Sequence, residues 1–286
     1  MIGLLTRAGP AIVWISRHRM SSSGSDSPSL GAIDSLGAYL TLVDQVWMQW
    51  SEKRGGVADV WFRGHASSQW PLLPGLLRAP YRQVSEHRYR HDFFLRAHPF
   101  LGEASTVPAT DWDWYFLMQH YGMPTRLLDW TESALVALYF ALQPVEGNAA
   151  GSVWVLYPRA INDRLAGIGN FIPIYNHRLV ANYMPALWDE RTDLIPHAPV
   201  AVDPPVNSKR LAAQKGKFTV HGREVRPIDS YEELAGFLRR IDVPAPVKGR
   251  LRRQLMAAGI AESALFPGLA GLGREIRDLY AHGPDR

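Results

Sequence analysis

Two hydrophobic periods run along this chain, one helical and one strand-like, and the longest departure from both is QHYGMPTRLLDWTESALVALYFAL, residues 119–142. Gly122 and Pro124 interrupt whatever precedes them, since glycine tolerates positive φ and proline lacks an N–H donor. From Ala134 to Leu142 nearly every side chain is apolar. A helix apolar on all sides is a buried one. Asp129 followed by Glu132 has the spacing of an N-cap with its reciprocal partner, which predicts a helix starting there. Upstream, Leu36, Tyr39, Leu40, Val43, Val46 and Trp47 recur at helical spacing and predict an amphipathic helix over Ser35–Trp50. Val57, Val60, Trp61 and Phe62 predict a buried strand ending at Arg63-Gly64, and Trp70–Arg78, with two prolines, reads as an extended or turning segment.

Residues 81–98 interleave Arg82, His87, Arg88, Arg90, His91, Arg96 and His98 with Tyr89, Phe93 and Phe94. Such a stretch is either a helix with a solvated basic face or a surface for a phosphate backbone. Asp111–Tyr121 reads as a buried helix leading into the central run. SVWVLY, from Ser152 to Tyr157, is a clear strand, and Asn170–Tyr175 is strand-like ahead of a proline-rich passage from Pro196 to Pro205. RLAAQKGKFTVHG predicts two strands about a turn at Gly216. Ser230 with Glu233 has the form of a capping box before YEELAGFLRRI, which predicts a helix. Val247–Ala258 predicts a second helix with Gly259 as its stop, then a turn at FPGLAGL and a last short helix at REIRDLYAH. Lys248, Arg250, Arg252 and Arg253 read as a solvated basic helix face.

Composition narrows the classes. The 286 residues are 47% hydrophobic and 20% charged, as in a globular protein with a full core. A net charge of +4 permits anionic partners without demanding them. Cysteine is absent, which excludes disulfides, a thiol nucleophile and thiolate metal sites. The ten histidines lack metal-ligand spacing, so no metal is expected. No apolar run reaches the length of a membrane span, and the short apolar core before Met20 is broken by Arg7 and Pro10. The expectation is a soluble, cytoplasmic protein without a membrane partner or signal peptide. Ser21–Gly31 reads as a flexible linker, and Met20 is a second candidate start.

The motifs of serine hydrolases, P-loop NTPases and Rossmann enzymes are missing. What remains is a polar constellation: Arg63, Gly64 and His65, then His120, Tyr121, Arg126 and Asp129, then Lys209, Arg210 and Gln214. Arg63 at a strand end beside glycine is a candidate phosphate clamp, with Gly64 allowing close backbone approach, or else a structural ion pair. Arg126 and Asp129 form either a structural pair or a polar pocket for an anion at a helix N-terminus. His120 is a candidate acid/base or stacking group, or a hydrogen-bonded core histidine. Gln214 is a site candidate or a backbone-bonding residue.

WFRGH, WPLLPGLLR, QHYGMPTRLLDWTESALVALYFA, GSVWVLYP, RLAAQKGKFTVHG and LFPGLAGL together resemble the FRG domain family, named for the triplet Phe62-Arg63-Gly64. That resemblance implies a role in bacterial or phage defence, or in toxicity. The same order of motifs is similar to the ADP-ribosyltransferase fold, in which an Arg or His ends a first strand and a polar motif precedes a buried helix. By that resemblance Arg63 binds the phosphates of NAD, and Asp129 to Ser133, Thr131 included, border the nicotinamide pocket. Where it places a catalytic glutamate, this chain has Arg210 or, in a shifted register, Gln214, which can hydrogen-bond a ribose but carries no charge.

The expectation is an α+β fold, mixed and largely antiparallel with flanking helices, ADP-ribosyltransferase-like by the second resemblance. It spans 34–281 as a single domain behind a flexible tail, 1–33. The implied function is NAD or nucleotide binding, with ADP-ribosyl transfer to a macromolecule; His120, Asp129 and Gln214 would act at the ribose, and Arg63, Gly64, His65, Tyr121, Arg126, Thr131 and Arg210 would bind NAD. The rivals are a non-catalytic nucleotide or nucleic-acid sensor and a protein-interaction module. The enzyme and the sensor alike require Arg63, His120, Arg126, Asp129 and Gln214 to meet in one concave pocket.

Overall fold

Leu36 to Glu52 repeats apolar residues at helical spacing, and in the computed structural model it is helix α1, with Tyr39, Val46 and Trp50 buried and Leu40 and Met48 exposed. The described residues are 29–52, 56, 58–83, 85–101, 108–184, 193–206 and 208–281. The expected extension before Met20 and the start of the serine-rich linker lie outside them. The end of the predicted tail does not: Ser29–Ala32 is strand β1, and Ile33 behind it is buried.

After α1 come β2 (Trp61–His65), α2 (Glu86–Ala97), α3 (Asp111–His120), β3 (Leu127–Thr131), α4 (Ala134–Ala141), β4 (Gly151–Leu156) and the short α5 (Pro158–Ala160). Then follow β5 (Val200–Val202), α6 (Lys209–Ala213), β6 (Gly216–Val220), β7 (Leu238–Val243), α7 (Lys248–Ala257), α8 (Glu262–Leu265) and α9 (Leu269–Ala281). The strands form one sheet in the order β1-β7-β4-β2-β3-β6-β5. Only β1 and β7 pair in parallel; the other neighbours are antiparallel. The fold is thus α+β, a mixed, largely antiparallel sheet with flanking helices. Strand β4 is buried at every position, and its run GSVWVL lies between two partners as an interior strand does. One apolar cluster joins α1 and α4 to β2, β4 and β7; a second joins α3 to β5 and β6.

Four expectations fail for physical reasons that bear on the site. The helix predicted from Asp129 starts later, because Leu127–Thr131 pairs with β6 at all five positions. Ser133 is the N-cap, its hydroxyl accepting from the Val136 N–H at 3.4 Å. The first half of RLAAQKGKFTV is the helix α6, capped by Ser208, and only Gly216–Val220 is a strand. YEELAGFLRRI is a turn followed by β7, since Gly236 at φ +89° stops the helical path and β7 pairs with β4 over six residues. Asn170–Tyr175 contributes one bridge, Ile174 to Asp203, while the proline-rich passage hides the edge strand β5.

Asn162 explains how so short an edge strand is held. Its amide donates to Phe171 O at 2.8 Å and Ala201 O at 2.9 Å, and its carbonyl accepts from Ala201 N at 2.7 Å. A fully buried side chain therefore supplies the hydrogen bonds that a further strand would have made. Among the described residues no helix is long and apolar enough to cross a membrane.

Candidate functional site

Strands β2 and β3 pair at a single position, Phe62 opposite Thr131, and a cleft lies beyond it. Arg63 stands at this opening. Its Nη1 donates to the main-chain oxygen of Asp129 at 2.5 Å and lies 3.8 Å from the Asp129 carboxylate. The guanidinium is 18% exposed and the carboxylate 57% exposed, so most of the pair's desolvation falls on the arginine. Burial lowers the Arg63 pKa to about 10; Asp129 opposes the shift and neighbouring Arg78 adds to it. Arg63 is still cationic at neutral pH.

A short relay aims this side chain. Arg63 Nε donates to His65 Nε2 at 3.0 Å, so the His65 proton sits on Nδ1, which donates to Trp70 O at 3.0 Å. Burial, with Arg63 and Arg78 beside it, lowers the His65 pKa to about 2. A neutral imidazole is the form that can accept from an arginine. His65, 2% exposed, therefore positions Arg63 and does not line the cleft. Asp129 is oriented from the other side: Gln119 Nε2 donates to it at 2.8 Å, and the Thr125 hydroxyl donates to Gln119 Oε1.

The cleft has a volume of about 310 Å³, and its polar lining is Arg63, Arg78, Tyr81, Gln119, Thr125 and Asp129. Met123, Pro124, Leu127 and Leu128 supply apolar wall. Arg78 is oriented by Nε donating to Leu73 O at 2.8 Å, and burial lowers its pKa. Two guanidinium groups thus face one carboxylate, with an aromatic ring at the rim. An anion bearing a planar ring is the chemistry this lining complements. Arg78, Tyr81 and Gln119 were not singled out in the sequence; the signal for Arg78 lay in WPLLPGLLR, a turning segment and one of the motifs of the family resemblance.

Arg126 is elsewhere. It is 3% exposed, and its Nε donates to Glu86 Oε2 at 2.7 Å. Nη1 donates to His221 O at 2.6 Å, and Nη2 donates to Tyr183 O. Tyr115 completes the unit, its hydroxyl accepting from Arg126 N at 2.7 Å and donating to Glu86. Nothing in this arrangement is open to a ligand, so the phosphate role expected of Arg126 is replaced by a structural one, with Glu86 and not Asp129 as its partner. Gly64 is likewise a packing residue. A Cβ there would lie 1.9 Å from Ala137 O and 2.6 Å from Ala141 N, so its place is under α4.

His120 and Arg210 line a second cleft of about 260 Å³ with Ser208, Lys209, Phe266, Pro267 and Arg274. Tyr121 is 70% exposed at the end of α3, against the His120 ring and in the lining of neither cleft. Thr131 is buried, donating to Gln214 O at 2.6 Å and accepting from Ser133 N at 3.0 Å. Gln214 caps α6, its amide donating to Leu265 O at 3.1 Å. Thr131 and Gln214 thereby tie β3, α6 and α8 together. Of the five residues expected to converge, Arg63 and Asp129 share one cleft, His120 lines another, and Arg126 and Gln214 line neither. Among the described residues no group of three or more His, Asp or Glu side chains could hold a metal ion.

Residues 58–149, which run from the approach to β2 to the turn before β4, match the family model of the FRG domain. No curated protein matches the chain, and no solved structure does.

Proposed function

This chain is an FRG domain protein, and from that premise we propose that it binds NAD or a similar nucleotide in the cleft between β2 and β3. One observation carries the reading: Arg63 is a mostly buried cation, aimed by His65 into a cleft whose only carboxylate among the described residues, Asp129, is largely solvated and 3.8 Å away. A desolvated cation so weakly neutralised gains most from a ligand anion, because charge-assisted hydrogen bonds are the strong ones and low dielectric amplifies them. Arg63 and Arg78 take the phosphate oxygens, and Tyr81 offers a ring face to a base.

The finer reading is ADP-ribosyl transfer to a macromolecule, in a defence or toxin role. The bond from ribose C1′ to the nicotinamide nitrogen breaks, nicotinamide leaves with the bonding pair, and an acceptor nucleophile forms the new bond to C1′ while giving up its proton. Developing oxocarbenium charge calls for a nearby carboxylate. Asp129, held by Gln119, is the group in this cleft that supplies one. Gln214 is not available for that part, because its amide is committed to Leu265 O. The commitment of Gln214 favours a second reading, nucleotide sensing without transfer by the same cleft.

Thermal unfolding of the full chain with millimolar NAD, run beside an assay for released nicotinamide, tests both. Stabilisation with release supports transfer, and stabilisation without release supports sensing. No stabilisation removes the nucleotide reading.

A further inference from the structure

The second cleft has a charge pattern of its own. Lys209, Arg210 and Arg274 contribute three cations, and among the described residues no carboxylate is in its lining. Arg274 is compensated from behind, its Nε donating to Glu262 Oε1 at 2.7 Å. Arg210 is not: among the described residues its guanidinium makes one hydrogen bond, from Nη1 to His120 O at 3.3 Å. Lys209 is exposed at the rim, with no acidic partner among the described residues. His120 feels the imbalance, for burial and Arg210 together hold its imidazole below the usual range.

The ring of Phe266 gathers these charges. The Arg210 guanidinium lies 4.8 Å from its centroid and that of Arg274 5.4 Å, so two like charges are held against one side chain. A cation–π contact offsets part of such crowding, and a bound anion offsets more. Space for one exists: the lining also includes Gly268, Ala270 and Gly271, which carry little or no side chain. At about 260 Å³ the cleft is smaller than most drug-sized pockets, which suits a phosphate-bearing group better than a whole dinucleotide.

The clefts are separate but linked. Gln119 lines the first and His120, the next residue, lines the second. Thr131 reaches Gln214, and Gln214 reaches Leu265 beside Phe266. We infer that the cleft of Lys209, Arg210, Phe266 and Arg274 is a second anion site, one that takes the phosphate or pyrophosphate group of a small ligand independently of the Arg63 cleft.

Inorganic pyrophosphate is the probe, titrated calorimetrically into the full chain and into Lys209→Ala, Arg210→Gln and Arg63→Gln. Lys209 is exposed, so its variant folds even where Arg210→Gln loses packing on Phe266. Saturable binding to the wild type is expected, at least about tenfold weaker in the Lys209 and Arg210 variants, the loss of one charge-assisted hydrogen bond. Arg63→Gln retains this binding, which keeps the outcome distinct from the fate of the first cleft. Pyrophosphate binding that is absent, or that is lost in Arg63→Gln and kept in Lys209→Ala, overturns the inference. So does binding of a single-stranded oligonucleotide that depends on Lys209 where pyrophosphate binds nothing, since that makes the surface one for a nucleic-acid backbone.

Discussion

Replacing Arg126 by leucine should unfold this protein more readily than any change in the Arg63 cleft. The cation is buried against Glu86, and it also serves the carbonyl oxygens of Tyr183 and His221. Leucine fills part of the volume but leaves the Glu86 carboxylate, 12% exposed, without its counter-ion and two buried oxygens without donors. Breaking a buried pair from one side costs about 3–5 kcal/mol. For a domain stabilised by about 5–15 kcal/mol that is about a fifth or more of the total. At about 2–4 °C per kcal/mol for a chain of this size, the melting temperature falls by roughly 10 °C. Urea denaturation followed by tryptophan fluorescence gives the loss directly, with the midpoint falling and the slope unchanged. Glu86→Gln keeps an acceptor for Tyr115, and the double variant should lose less than the sum of the single ones because the sites are coupled. An Arg126→Leu protein within about 1 kcal/mol of wild type would refute the structural assignment, since surface-like losses are of that size.

Three other perturbations read the framework around the site. Gly64→Ala places a Cβ 1.9 Å from Ala137 O, and backbone cannot yield as a flexible side chain would; a loss of about 3 kcal/mol or failure to fold is expected in the same urea assay. Asn162→Ala strands the N–H and C=O of Ala201 and should cost about 2–3 kcal/mol, with hydrogen exchange fastest at β5. The pH dependence follows from His65, held near 2, and His221, held near 3 by burial and Arg126. Both pKa values are lower folded than unfolded, so the unfolded chain binds the extra protons and stability rises with pH. The full contribution is present above about pH 6.5 and is lost as pH falls below it, by up to about 1.4 kcal/mol per unit for each histidine. Urea midpoints at pH 7.5 and 5 check this, and His65→Asn should flatten the slope.

Much of the architecture was legible because it depends on local pattern. The period of α1, the all-apolar α4 and the apolar run of β4 each announce themselves within a few residues. Capping signals misled at Asp129 and Ser230, where strand pairing five or six residues long outweighed a cap worth about 1 kcal/mol. Within the site, Arg63 and Asp129 were legible as charges in an apolar setting, and the structure brings them together. The role of Arg126 was not, because its partner Glu86 lies forty residues away and reads in sequence as one acid on a basic helix. Gly64 had a real constraint, close approach, but the approaching backbone is that of α4. Arg78 and Phe266 lie in the motifs WPLLPGLLR and LFPGLAGL, but their place in a cleft was not legible, since a lining assembled from distant turns has no period to detect.

Calorimetric titration of NAD into the full chain and into Arg63→Gln is the most direct test of the central claim. Saturable binding to the wild type is expected, with binding at least about tenfold weaker in the variant, the loss of a charge-assisted hydrogen bond in a desolvated cleft. Equal affinity in the two, with the variant folded, would contradict it.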